Sequence, residues 1–178
     1  MADQSNYHSW LTEKRSHAWS VYEGTPVPTT KSEEWRYTDL KKLFPLEDLN
    51  LKTTTVLAPT KPSREDLTET VNTSARVQFT NGSVTHLQVT PEIEEQGVVL
   101  DSMQNPQHSR IQEIIKENLC GLALPPESGK FEALNAALWT DGIIIYVPKN
   151  VHVEMPVRGK HYMTTGMPDA CSRTLIVA

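Results

Sequence analysis

Apolar residues recur at helical intervals near the start of the chain: Tyr7, Trp10, Leu11, Ala18, Val21 and Tyr22 share one stripe, with Glu13, Lys14 and Arg15 elsewhere. A period near 3.6 predicts an amphipathic helix over residues 5–22. Gly24, Pro26 and Pro28 end it, and each proline biases its predecessor toward extended backbone, so 26–30 reads as extended. Two short helical turns are expected next, the second after Thr38, where Leu40, Leu43 and Phe44 return to helical spacing until Pro45. Residues 50–62, rich in Thr, Lys and Pro, read as a surface loop. Ser63 with Asp66 has the form of a capping box for a short helix through Val71.

The period then changes to two. Residues 76–80 and 83–89 both alternate, and Asn81-Gly82 separates them. Asn-Gly suits a type I′ turn because both residues tolerate positive φ, so a β-hairpin is expected. Val98-Val99-Leu100 reads as a further strand. A helix is expected from Ser109 to Cys120, with Ile111, Ile114, Ile115 and Leu119 on one face, a Ser-x-x-Gln start (Ser109 to Gln112) and Gly121 at C′. Residues 122–130 read as a linker. Phe131, Leu134 and Leu138 mark the next helix.

After Asp141-Gly142 come short β runs: residues 143–147, 151–153 and 174–177, punctuated by Pro148-Lys149-Asn150 and Glu154-Met155-Pro156. Such spacing suggests the start of a β-solenoid or sandwich. The last run meets Ala178 with no polar ending, and a solenoid rung buries its face only against a neighbour. The expectation is a longer protein cut at this point, or another chain covering an open β edge.

Composition narrows the function classes. A net charge of −5, with no block of basic residues, disfavours nucleic-acid and membrane-surface binding. No apolar run approaches the roughly 20 residues that span a bilayer. Met1-Ala2-Asp3-Gln4-Ser5 has no signal-peptide pattern, which points to the cytoplasm. Cys120 and Cys171 are too few for a disulfide framework, and Cys120 reads as a packing residue at a helix end.

The segment Lys31-Ser32-Glu33-Glu34-Trp35-Arg36-Tyr37-Thr38-Asp39-Leu40 is hard to explain by folding needs alone. Together with the 131–137 segment Phe-Glu-Ala-Leu-Asn-Ala-Ala, the run from Asp141-Gly142 to Pro148-Lys149, and Arg173-Thr174-Leu175-Ile176-Val177, it resembles the SufD branch of the SufB/SufD family. Glu34, Trp35, Arg36, Tyr37, Thr38, Asn135, Asp141, Gly142 and Pro148 are the positions that carry this resemblance. It implies a structural subunit of an iron–sulfur cluster assembly complex, with a SufB-like subunit and a SufC-like ATPase as partners. It further implies that the chain holds no cofactor of its own, and that cluster and ATP belong only to the assembled complex. The Cys and His positions of the family's subunit interface, and its ATPase-docking helices, have no match in these residues.

The residues themselves offer few chemical sites. Glu33, Glu34, Arg36 and Asp39 read as local charge pairs on a surface helix rather than an acid–base cluster. Trp35 and Tyr37, two apart, cannot share a helix face, so one is expected to anchor while the other lies exposed or under a loop. The segment would then staple the N-terminal region or form a partner surface. His152, Glu154, His161 and Cys171 invite a metal reading, but without the close ligand pairs of closed sites the expectation is no metal. Phosphate-binding glycine loops and nucleophile elbows are also absent, so no catalytic or cofactor-binding residue is assigned and no enzyme is expected.

The reading is an α+β fold. A helical N-terminal region with a small antiparallel hairpin sheet (1–127) precedes an entry helix and the first rungs of a truncated right-handed β-helix (128–178). The function it supports is a non-catalytic scaffold subunit. The alternatives are a β-helix or cupin-like enzyme on a carbohydrate or small metabolite, and an adaptor that recruits a partner, or a second copy, through the open β edge.

Overall fold

The computed structural model describes residues 4–43, 72–121, 123–164 and 170–178. Helix α1 (Gln4–Gly24) is the amphipathic helix foreseen, with Tyr7, Leu11 and Ala18 buried. Arg15, expected apart from the apolar stripe, follows Leu11 by four residues and precedes Ala18 by three, so it shares their face: its guanidinium lies 4.6 Å over the Trp139 ring and donates to the Trp139 carbonyl at 2.8 Å. A 3-10 turn (Glu33–Trp35) and the short α2 (Leu40–Leu43) follow. Phe44, Pro45, the expected loop over 50–62 and the Ser63–Asp66 box lie outside the described residues.

Strands β1 (Ala75–Thr80) and β2 (Ser83–Val89) form the expected hairpin. Asn81 and Gly82 have φ of 51° and 82°, the positive pair that a type I′ turn requires. The chain continues through α3 (Pro91–Glu95), β3 (Val99–Ser102), α4 (Ser109–Asn118), a 3-10 turn (Pro126–Ser128), α5 (Lys130–Leu138), β4 (Asp141–Tyr146), β5 (Val157–Tyr162) and β6 (Ser172–Val177).

The strands make two three-stranded sheets, ordered β2-β1-β5 and β3-β4-β6. Both are mixed: β1 pairs antiparallel with β2 but parallel with β5, and β4 pairs antiparallel with β3 but parallel with β6. The hairpin sheet is therefore not purely antiparallel, because β5 adds to its free edge. After β4 the chain crosses to the other sheet as β5 and returns beside β4 as β6, with Asp141 opposite Ser172. Strands from either side of residue 127 pair in both sheets.

Three layers result. The sheets pack on each other through a core that includes Val77, Phe79, Leu100, Ile143 and Ile145. The outer face of the second sheet packs on the helices through Tyr7, Leu11, Ile115, Trp139 and Ile144. Consecutive strand residues face opposite sides, so the unbroken Ile143-Ile144-Ile145 run suits a strand buried on both. Helices α1 and α5 meet where Ala18, Ala136 and Ala137 remove bulk.

Three local expectations need correction. The Ser109–Gln112 box does not form: His108 is the N-cap, and the Gln112 side chain turns into the core. The left-handed residue after α4 is Cys120 (φ 56°), not Gly121, because the buried Leu119 has already taken extended backbone and ended the helix early. Residues 151–153 form no strand. They follow a turn in which Val151 N–H bonds the Pro148 carbonyl at 3.1 Å and Asn150 has φ 65°. The strand lies further on, at β5, whose Arg158, Gly159, Lys160 and His161 carry too little hydrophobic signal to announce it.

Candidate functional site

The Lys31–Leu40 segment divides its side chains between two directions. The 3-10 turn brings Trp35 onto Phe131 of α5, with ring centroids 5.2 Å apart and planes tilted by 32°. Arg36 and Tyr37 point away. The Arg36 guanidinium lies 4.8 Å over the Tyr37 ring, donates to its hydroxyl at 2.8 Å and sits 3.3 Å from the Glu33 carboxylate. Tyr37 is 87% exposed. Thr38 closes the turn through its N–H to the Trp35 carbonyl (2.9 Å), and Asp39 faces Lys42 at 3.5 Å. Glu34 is exposed on the turn. The carboxylates of Glu33 and Asp39 are thus matched by cations three residues on, an arrangement that balances surface charge and builds no acid–base pair.

Lys130, the residue before Phe131, carries a second aromatic contact. Trp19 and Tyr22 of α1 meet with centroids 5.1 Å apart and planes tilted by 33°, and the Lys130 ammonium lies 3.8 Å from the Tyr22 ring centre while donating to the Tyr22 carbonyl at 2.6 Å. Neither Lys130 nor Tyr22 belongs to the motif, so only their spacing on two helices could have flagged them.

The second group of motif residues gathers where α5 enters β4. The Asp141 carboxylate accepts from Val84 N–H (2.9 Å), the Ser102 hydroxyl (3.0 Å) and Gly142 N–H (2.7 Å), which ties β4 to β2 and β3. Thr140 Oγ1 donates to the Gly82 carbonyl at 2.9 Å, holding the hairpin turn against the same corner. Asn135 Nδ2 donates to the Ser172 carbonyl at 3.3 Å. At Gly142 a Cβ would collide with the Arg173 carbonyl and lie 2.5 Å from Met103 Cε, so the parallel β4/β6 pair requires glycine there. Pro148 opens the turn before residue 151 and would lie 3.3 Å from a Cβ on Gly97. Spacing could not have found Ser102 or Val84, which lie 39 and 57 residues from Asp141. Close by, burial pushes the Asp101 carboxyl above the usual carboxylate range, although N–H groups of Gln107 and Ser102, each at 2.8 Å, work against the shift.

The residues of the metal reading part company. His161 stacks flat on Phe79, with centroids 4.3 Å apart and planes 3° from parallel. His152 and Glu154 line a different hollow, with Thr73 and Glu92. Cys171 packs against the helical core. Among the described residues no three of His, Cys, Asp and Glu gather into a ligand set. Cys120 packs against α1 and α5, and burial pushes its thiol pKa up, away from the reactive thiolate. No helix among the described residues is long and apolar enough to cross a membrane.

A cleft of 460 Å³ lies between the two sheets, lined by Phe79, Ile143, Ile145, Val157, His161 and Ile176 among others. Among the described residues β5 and β6 are edge strands of their sheets, and Ile176 is 65% exposed.

Comparison with known proteins assigns this architecture. A family profile described as the SufBD protein N-terminal region matches residues 3–158. SufD of Bacillus subtilis, described as an iron–sulfur cluster assembly protein, is 28% identical over 179 residues, covering 96% of this chain and 39% of that protein. An iron–sulfur cluster assembly SufBD family protein of Mycobacterium tuberculosis is 36% identical over 96 residues, covering 53% of this chain and 11% of that protein. SufB of Bacillus subtilis is 34% identical over 86 residues, 48% of this chain and 18% of its own length. The chain spans well under half the length of each of these relatives. With the profile covering most of the sequence, the chain belongs to the SufB/SufD family through that family's N-terminal region.

Proposed function

We propose that this chain is the N-terminal part of a non-catalytic scaffold subunit for iron–sulfur cluster assembly, working in the cytoplasm with a SufB-like subunit and a SufC-like ATPase. The process is the one named for its relatives. The structural observation that carries the reading is the coil β4–β5–β6, in which parallel strands recur in one sheet after a passage through the other. This coil is the first turn of a right-handed β-helix, and the open cleft beside β5 and β6 is the face on which a following turn packs. The Asp141 corner is the joint between the region before residue 128 and that coil. Trp35 staples the motif segment to α5. On this reading cluster and nucleotide chemistry belong to the assembled complex.

The test is anaerobic co-purification of the full protein containing this chain with SufB-like and SufC-like partners. A stable complex that carries iron and sulfide is expected, together with its loss or weakening for Trp35→Ala. A protein that purifies alone, or a Trp35→Ala variant unchanged in folding and assembly, overturns the scaffold or the staple reading respectively.

A second reading is favoured by the edge strands: an adaptor that recruits a partner by strand addition at β5 or β6. It predicts complex formation by these 178 residues alone, which the scaffold reading does not require. The enzyme alternative has no such support, since His152 and Glu154 stand apart from His161.

A further inference from the structure

We draw no further inference here: the strongest candidate, the pair of aromatic contacts that Trp19 makes with Tyr22 on α1 and Trp35 makes with Phe131 of α5, has the neighbouring Lys130 charge satisfied locally, and nothing in the structure shows what covers it.

Discussion

A Cβ added to Gly142 meets the backbone carbonyl of Arg173, which cannot swing aside as a side chain would, whereas a Cβ on Gly159 meets nothing within 4 Å. Gly142→Ala is therefore expected to lower stability by about 1–3 kcal/mol, the usual range for forced overpacking. Gly159→Ala should leave it unchanged or raise it by about 0.5 kcal/mol, because alanine narrows the unfolded ensemble. Urea denaturation of both variants checks the pair, and equal effects would contradict the close β4/β6 approach. Asp101 supplies a pH test. Its folded pKa is raised, so between the unfolded and folded values the folded state holds the extra proton, and this group's contribution falls as pH rises through that window. The stability advantage of the wild type over Asp101→Asn should be larger in acid, and should shrink as pH climbs past the folded pKa. Denaturation midpoints measured from about pH 4 to 7 decide the sign.

Elements differed in how plainly the sequence announced them. The hairpin was legible because Asn81-Gly82 encodes its turn locally and the alternation on both sides encodes its strands. Helix α1 was legible from its stripe, and β4 from its isoleucines. β5 was not: it exists because β1 offers a parallel partner, with Ala75 opposite Val157 and Thr80 opposite Tyr162, and that information lies about eighty residues upstream. The Asp141 corner was hidden for the same reason, although Asp141 and Gly142 themselves had been singled out. The α1–α5 contact illustrates a further gap. Ala18 lay on the α1 stripe, but alanines score weakly in any hydrophobic pattern and Ala136 and Ala137 did not mark α5, yet both are buried where the helices touch. Ala18→Leu adds volume to that contact and should cost about 1–3 kcal/mol, seen as a lowered thermal midpoint. Retention of wild-type stability would mean that the helices can separate at little cost.

At the scale of the molecule, β5 and β6 are the outermost strands of their sheets among the described residues, beside an apolar cleft. Outer strands next to apolar surface invite association. The 178-residue chain is expected to self-associate in solution through this end. Ile176→Lys, placing a charge where the side chain is already 65% exposed, should shift sedimentation to the monomer while changing stability by no more than about 0.5 kcal/mol. A chain that stays monomeric at high concentration would remove self-association from the adaptor reading, leaving capture of a different partner.

The placement of Ile144 between Ile143 and Ile145 has a consequence for how the protein opens. β4 is a wall common to both cores, so neither can be exposed to water without disturbing the strand they share. Sheet and helical layers should therefore lose structure in one cooperative event rather than peel apart in stages. In native-state hydrogen exchange, the amides of Ile143, Ile144 and Ile145 would report the free energy of global unfolding, while edge amides of β5 and β6 exchange through small local openings.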